Sequence, residues 1–179
     1  EPGAAGHVVE DQRRGAESEA EGAALDRLRG AVRAEEEKGG WHDFSSLRTI
    51  VSGGAAIPRT LLETFNEKYG FPIKQAYGAT ETTPLVSAAI PKSYMADLSR
   101  DELYDIRTSV GIVVMGLEMK LVNTEGKEAR MDGKEWGEIW LRGPWIASEY
   151  YKDPERSKEA FADGWYHTGD VATMDSEGY

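Results

Sequence analysis

The 179-residue chain contains no cysteine and carries far fewer cationic than acidic side chains. Without cysteine it has no disulfide, no thiolate nucleophile and no zinc-thiolate site, which fits a reducing compartment. It has 21 lysines and arginines but 32 acidic residues, which gives a formal net charge of −11 at pH 7. This charge argues against binding nucleic acid or an anionic membrane surface, because both need clustered Lys and Arg.

Long apolar runs are also missing. No stretch approaches the roughly 18 apolar residues that a membrane-spanning helix needs, and the N-terminus lacks the basic-then-apolar order of a signal peptide. We therefore expect a protein of the cytoplasm without a transmembrane segment. The length suits one ordinary domain or part of a larger one.

Residues 1–40 differ in composition from the rest of the chain. They are rich in Gly, Ala, Glu and Arg, and they have only five large apolar side chains: Val8, Val9, Leu25, Leu28 and Val32. The last three share a helical face, which permits a short amphipathic helix, but so few apolar groups cannot bury much surface. We predict an atypical, loose N-terminal segment over residues 1–40.

The stretch that follows, residues 41–107, has the pattern of a parallel βαβ unit. A β-branched run from Leu47 to Ser52 predicts a strand that breaks at paired glycines, and Pro58 suits the first turn of a helix. Gly70 is placed to end that helix, and "FPIKQAY" predicts the next strand. Both loops after the strands should lie at their carboxyl ends, where open α/β sheets bind ligands.

Residues 108–179 have the shorter period of antiparallel β-structure. A hairpin is predicted to turn at Asn123 to Gly126, and "GEIWLRG" predicts another strand. "DPERSKEAF" predicts a short helix with Asp153 as its N-cap, and "DGWYHTGDVATMDSEGY" a final strand with turns on either side. The sequence thus predicts an α/β fold in which the parallel βαβ unit precedes an antiparallel, barrel-like segment.

The motif "YGATET", which begins at Tyr77, could carry chemistry at the end of the second predicted strand. Gly78 would let the backbone approach a ligand, and Thr80 and Thr82 offer hydroxyls that suit phosphate oxygens. Glu81 would supply a hard oxygen ligand for Mg²⁺, and Tyr77 a flat face for a base. Alternatively, Thr80 caps a helix and Glu81 lies in its first turn, which local chemistry alone favours.

Two further motifs are ambiguous by themselves. The paired glycines of "SGGAA" mark a tight turn as readily as a nucleotide-binding loop. In "WYHTGD", Asp170 follows a predicted strand where its carboxylate could accept both hydroxyls of a ribose, although Asp in a β-turn is the commoner use. His167 lies among aromatic residues and is interpreted as structural, because no Ser or carboxylate is placed to form a triad with it.

Taken together, "SGGAAIP", "QAYGATETTP" and the segment from "GEIWLRG" to "WYHTGD" resemble the adenylate-forming superfamily, which includes acyl-CoA synthetases, firefly luciferases and peptide-synthetase adenylation domains. The resemblance runs from about Trp41 to Tyr179. The amino-acid sequence between the motifs is most similar to that of the medium- to long-chain fatty-acid CoA ligases.

This resemblance implies a two-step reaction with ATP, a fatty acid and coenzyme A as substrates. A carboxylate attacks the α-phosphate of ATP to give acyl-adenylate and pyrophosphate, and the coenzyme A thiol then takes the acyl group. Such chemistry needs positioning and charge neutralisation more than a protein nucleophile. The resemblance also implies roles for the motif residues. Gly54 and Ala55 would line the adenine and acyl region, Gln75 and Ala76 would border the adenine, Tyr77 would stack on it, and Gly78 would let the backbone approach the nucleotide. Thr80 would contact the α-phosphate, Glu81 would bind Mg²⁺, and Asp170 would hold the ribose.

Parts of the family pattern are missing from the chain. The phosphate loop expected upstream and the lysine-bearing domain expected downstream are not in the sequence, and residues 1 to about 33 do not resemble the family. We therefore interpret the chain as an internal fragment of the large N-terminal domain, inactive by itself. Two alternatives remain, a ligase for an aryl or other small carboxylic acid and a non-catalytic nucleotide-binding remnant.

Overall fold

The computed structural model describes Gly30 and residues 46–70 and 72–179. It divides the chain into two compact units, Glu1–Ile73 and Lys74–Tyr179. Apart from Gly30, the loose segment predicted for residues 1–40, with its helix at Leu25 to Val32, lies outside the described residues. The division that the sequence suggests between residues 107 and 108 remains a prediction.

The first unit contains the predicted strand and helix. Strand β1 spans Ile50–Gly53 and helix α1 spans Arg59–Tyr69. The apolar face of α1 is buried through Leu61, Leu62 and Phe65, and the helix ends at Gly70, whose φ of 73° is left-handed. A residue without Cβ adopts this conformation at little cost, so the predicted helix end is confirmed.

The next strand, β2, spans Ile73–Tyr77. Within the first unit, the Ile50 N–H donates to the carbonyl of Pro72 at 3.1 Å, and the Thr49 hydroxyl donates to the same carbonyl at 2.8 Å. The parallel βαβ unit that the sequence suggests stays a prediction.

In the second unit, β2 pairs with a short antiparallel sheet. Strand β3 spans Ser87–Ala88 and β4 spans Ile112–Val113; β2 pairs with β3 and β3 with β4, both antiparallel. Helix α2, Arg100–Thr108, begins with a capping box in which the Ser99 hydroxyl accepts from the Glu102 N–H. Two 3₁₀ turns, Thr80–Thr82 and Ser93–Met95, lie between these elements.

The remaining strands form a separate antiparallel sheet in the order β5-β6-β8-β7. Their bounds are β5 Glu118–Val122, β6 Gly137–Arg142, β7 Phe161–Ala162 and β8 Trp165–Ala172. Helix α3, Pro154–Ala160, precedes β7, and the Asp153 side chain caps it as predicted. The predicted turn at Asn123 to Gly126 is also present.

This second sheet is open over residues 72–179, so the barrel-like closure suggested by the sequence is not found there. Strand β5 and the two-residue β7 are its edges. Closure would need a tilted, staggered ladder between the edge strands, and β7 is too short to provide one.

The two faces of the second sheet have different surroundings. One face forms a hydrophobic core of Val86, Leu117, Leu121, Ile139, Leu141 and Tyr166. On the other, the rings of Trp140 and His167 stack with centroids 3.7 Å apart, and the Lys120 ammonium lies 4.9 Å from the Trp140 centroid. This stacking agrees with the structural interpretation of His167. Within the described residues, none of the helices is long and apolar enough to cross a membrane.

Candidate functional site

The loop after β2 folds back tightly on its own backbone. A Cβ on Gly78 would lie only 1.6 Å from the carbonyl oxygen of Pro84. The Thr82 hydroxyl accepts from the Ala79 N–H at 2.8 Å and lies 2.9 Å from the Ala79 carbonyl and 3.0 Å from that of Pro84. Gly78 therefore admits a close approach of the loop's own main chain, a requirement that the sequence interpretation had given to a ligand.

Thr80 and Glu81 begin the 3₁₀ turn of this loop. The residue at the N-cap position is Ala79, and the hydroxyl that binds its N–H belongs to Thr82. The expected cap by Thr80 is therefore wrong, since the turn has three residues and another threonine supplies the cap, whereas Glu81 does lie in the first turn as that alternative expected. The exposed Thr80 side chain and the half-buried Glu81 side chain remain available for another role.

The Thr-Gly-Asp motif forms a bulge in β8. The register between β6 and β8 shifts at this point, so that Ile139 alone stands opposite residues 168–170. The Thr168 hydroxyl donates to the Ile139 carbonyl at 2.8 Å and accepts from the Asp170 N–H at 3.0 Å. Bulges re-aim side chains, and this one directs the Asp170 carboxylate away from the regular ladder.

The structure brings the two predicted motifs into direct contact. The Tyr77 hydroxyl, at the end of β2, donates to Oδ2 of Asp170 at 2.6 Å. The two residues are 93 positions apart in the chain, and both lie in the unit Lys74–Tyr179. A ring face and a carboxylate held at a fixed separation are the groups that a base and its attached ribose require.

A second tyrosine contacts the other predicted carboxylate. The Tyr150 hydroxyl donates to Oε1 of Glu81 at 2.7 Å. Burial, followed by this hydrogen bond, raises the pKa of the Tyr150 phenol above its ordinary value of 10.0. Burial also raises the pKa of the neighbouring Tyr166 phenol, with the negative charge of Glu81 as the next cause. Sequence reasoning missed Tyr150, because no spacing signal links "SEYY" to a glutamate 69 residues earlier.

The other predicted residues lie on or just after the strands. Gln75 is buried, with 3% exposure, on β2 next to the half-buried Ala76. Gly54 and Ala55 follow β1 in the first unit. Of the predicted site, the structure therefore brings together Tyr77 with Asp170 and places Glu81 in the same loop as Thr80.

The Glu81 carboxylate is the oxygen donor that this loop could offer to a metal ion. Among the described residues, no group of three or more His, Cys, Asp or Glu side chains could hold an ion. A protein cage is therefore not formed in this part of the chain. A single carboxylate fits Mg²⁺, which usually keeps several waters and shares one or two carboxylates with substrate phosphates.

Comparisons with known proteins show which family the chain resembles. Residues 13–151 match the family described as AMP-binding enzyme. The match includes residues 13–33, so the interpretation that residues 1 to about 33 do not resemble the family is wrong for that part. The chain is 38% identical over 139 residues to a long-chain-fatty-acid–CoA ligase of Thermus thermophilus, covering 77% of this chain and 26% of that protein. It is 40% identical over 134 residues to a medium-chain-fatty-acid–CoA ligase of Ectopseudomonas oleovorans, covering 75% and 24%.

Solved structures show the same likeness. An anthranilate CoA ligase in complex with anthranoyl-AMP superposes with a TM-score of 0.63 at 33% identity, over 77% of this chain and 24% of that one. A long-chain-fatty-acid-CoA ligase from Archaeoglobus fulgidus gives 0.64 at 27% identity, over 76% and 28%. The fold is thus that of part of an adenylate-forming enzyme, and the chain spans about a quarter of the length of these relatives. With most of its length matched and its motifs in contact, the chain belongs to the AMP-binding enzyme family.

Proposed function

We propose that the chain is the nucleotide-binding part of a fatty-acid CoA ligase, which activates a carboxylic acid with ATP and passes the acyl group to coenzyme A. The names of its relatives support this reaction type. The observation that carries the proposal is the hydrogen bond between Tyr77 and Asp170, because it joins the two motifs that the resemblance assigns to one nucleoside. We keep the cytoplasm as the proposed location on sequence grounds alone.

In the proposed site, Tyr77 and Asp170 act as a pair. The Tyr77 hydroxyl engages one carboxylate oxygen of Asp170, so the ring face can stack on adenine while the carboxylate accepts the ribose hydroxyls. A hydrogen bond to a charged acceptor is the stronger kind, which favours a fixed distance between base and sugar positions. Gln75 and Ala76, on the strand that ends at Tyr77, border the adenine edge. The role that the resemblance implies for Gly54 and Ala55, which is to line the adenine and acyl region, stays a prediction for the first unit.

Thr80 and Glu81 are proposed to act on the phosphates. The exposed Thr80 hydroxyl would contact the α-phosphate, and the Glu81 carboxylate would hold Mg²⁺. When bound, Mg²⁺ would neutralise phosphate charge that the acidic chain cannot neutralise by itself. These two residues and Gly78, which shapes their loop, are the proposed phosphate side of the site.

The experiment that tests the proposal uses Asp170→Ala. We expect the affinity of the 179-residue chain for ATP to fall about tenfold or more, because one hydrogen bond to a charged group is worth about 1.5–3 kcal/mol. The wild-type chain should bind 2′-deoxy-ATP more weakly than ATP, and the variant should lose most of that discrimination. Both affinities can be measured by isothermal titration calorimetry.

Asp97→Ala is the matched control, since Asp97 is an exposed aspartate of the same unit. It should leave both affinities unchanged. An Asp170→Ala chain that still prefers ATP to 2′-deoxy-ATP as strongly as wild type would show that Asp170 is a turn residue, and the nucleotide site would have to lie elsewhere.

The acid is proposed to be a fatty acid because the two relatives with the matches given above are named for fatty acids. An aryl acid is the second candidate, favoured by the similarity to the anthranilate CoA ligase.

A further inference from the structure

One segment of the second unit is bonded along the whole loop that holds Glu81. We call residues 145–150 the clamp segment. Besides the bond from Tyr150 to Glu81, three hydrogen bonds join it to the loop: Ala147 N–H to the Glu81 carbonyl at 2.8 Å, the Thr83 hydroxyl to the Trp145 carbonyl at 3.0 Å, and Trp145 Nε1–H to the Leu85 carbonyl at 3.3 Å. Each involves at least one main-chain group, so the loop and the clamp segment hold a fixed register.

Tyr150, at the end of the clamp segment, is fixed by helix α3 and its neighbours. The Tyr150 N–H donates to Oγ of Ser157 at 2.8 Å. The Arg156 guanidinium lies 4.5 Å from the centroid of the Tyr150 ring, and the Phe161 ring packs against it with centroids 5.4 Å apart. The phenol therefore reaches Glu81 from a side chain whose backbone and ring are both held.

The hydroxyl of Tyr150 is a donor to Glu81. A tyrosine phenol has one O–H to donate, and in the structure this O–H is directed at the Glu81 carboxylate. It occupies Oε1 of Glu81, and no donor among residues 46–70 and 72–179 is bonded to Oε2. One carboxylate oxygen is thus oriented by Tyr150, and the other receives no hydrogen bond from this part of the chain.

We propose that Tyr150 is a positioning residue that holds the Glu81 carboxylate in the orientation needed to ligate Mg²⁺ with the nucleotide. The inference rests on the proposed function, since it takes Glu81 as the Mg²⁺ ligand. Partners that orient a metal ligand commonly change metal affinity by 10–100-fold when they are removed. A tyrosine that only packs between α3 and the loop would change stability and leave the metal dependence as it was.

The test compares Tyr150→Phe with Glu81→Gln in the 179-residue chain. ATP binding is measured calorimetrically over a series of MgCl₂ concentrations and with the metal removed by EDTA. We expect Tyr150→Phe to raise the Mg²⁺ concentration for half-maximal ATP binding about tenfold, to leave binding in EDTA unchanged, and to keep the ring packing. Glu81→Gln should raise the Mg²⁺ requirement at least as much.

Tyr151→Phe is the matched control, because Tyr151 is 87% exposed and adjacent in sequence. It should bind ATP with the Mg²⁺ dependence of wild type. If Glu81→Gln shifts the Mg²⁺ requirement and Tyr150→Phe does not, the positioning role is overturned while the proposed function stands. If Glu81→Gln itself has no effect, the proposed metal role of Glu81 fails, and the positioning role fails with it.

A second measurement covers the case in which Tyr150→Phe does not fold. With 3-fluorotyrosine incorporated at position 150, the ¹⁹F resonance should move when MgCl₂ is added to the ATP-bound chain, and Glu81→Gln should abolish the movement. A resonance that moves equally in wild type and Glu81→Gln, or in neither, would overturn the proposal.

Discussion

The threonines at positions 80, 82 and 83 have different uses although their side chains are identical. Thr82 is buried and bonds twice within the loop, Thr83 bonds to the Trp145 carbonyl, and Thr80 is exposed. The sequence identifies the motif but cannot distinguish these roles, because they depend on how the loop folds back. Thr80 and Thr83 are both exposed, and of the three threonines Thr80 is the one whose hydroxyl makes no hydrogen bond within the described part of the chain.

Gly78→Ala tests the folded-back loop directly. A Cβ at 1.6 Å from the Pro84 carbonyl oxygen forces the loop to open, so we expect a loss of about 1–3 kcal/mol in unfolding free energy, the range found for overpacking. Urea unfolding followed by tryptophan fluorescence measures it. The nearest comparison is Gly126→Ala, where nothing lies within 4 Å and only the left-handed φ costs about 1 kcal/mol. An unchanged midpoint for Gly78→Ala would contradict the described loop.

At the scale of elements, the sequence correctly predicted helix ends and caps, which depend on neighbouring residues. Gly70 ends α1 and Asp153 caps α3 as expected, because capping depends on a few neighbouring residues. The bulge at Asp170 and the contact of Tyr77 with it could not be predicted, since each depends on a strand far along the chain. The family resemblance named both residues without showing that they are bonded to each other. Neither a local sequence pattern nor the family resemblance indicated a role for Tyr150.

The connection between β5 and β6 gives a prediction about pH. The Glu135 carboxylate accepts three hydrogen bonds. Asn123 Nδ2 donates at 2.8 Å, Nε of the Arg130 guanidinium at 2.7 Å, and the main-chain N–H of Arg130 at 3.1 Å. These bonds, led by that of the guanidinium, lower the pKa of Glu135 from 4.5 to about 2. A lowered pKa stabilises the folded connection above pH 4.5, and that stabilisation is lost as pH falls from about 4.5 to about 2.

An NMR titration measures this prediction through the Arg130 amide. Its chemical shift should move with a midpoint near 2, and the Glu135→Gln chain should show no such transition. A midpoint near 4.5 would mean that the carboxylate is not held by its partners in solution.

At the scale of the whole molecule, the chain carries the residues of the proposed nucleoside site but corresponds to only a small part of its relatives. It spans about a quarter of the curated ligases that it matches. Its formal charge of −11 disfavours binding of a polyphosphate, so we expect the proposed binding of ATP to depend on added cations such as Mg²⁺. The proposed binding of ATP can be tested apart from the proposed turnover of an acid.

We expect the 179-residue chain to show no acid-dependent exchange of pyrophosphate into ATP. A chimaera in which residues 46–179 replace the aligned segment of the Ectopseudomonas oleovorans ligase should restore exchange with a fatty acid, because the remaining segments then surround the substrates. The chimaera carrying Asp170→Ala is the control and should lose most of the exchange. Exchange by the unextended chain, measured with radiolabelled pyrophosphate and any fatty acid, would show that fewer segments are needed than we infer.

The clamp segment also bears on which sequence changes the protein can accept. Ala147 N–H and the Trp145 carbonyl bond to the loop through main-chain atoms, which every amino acid except proline provides in full. Exchange of one side chain for another at Ala147 should therefore be tolerated far better than the gain or loss of a single residue in either segment. A one-residue insertion would displace Tyr150 from Glu81 by about 3.3 Å, the rise of an extended residue. Length is thus fixed more strictly than identity where the clamp segment meets the loop.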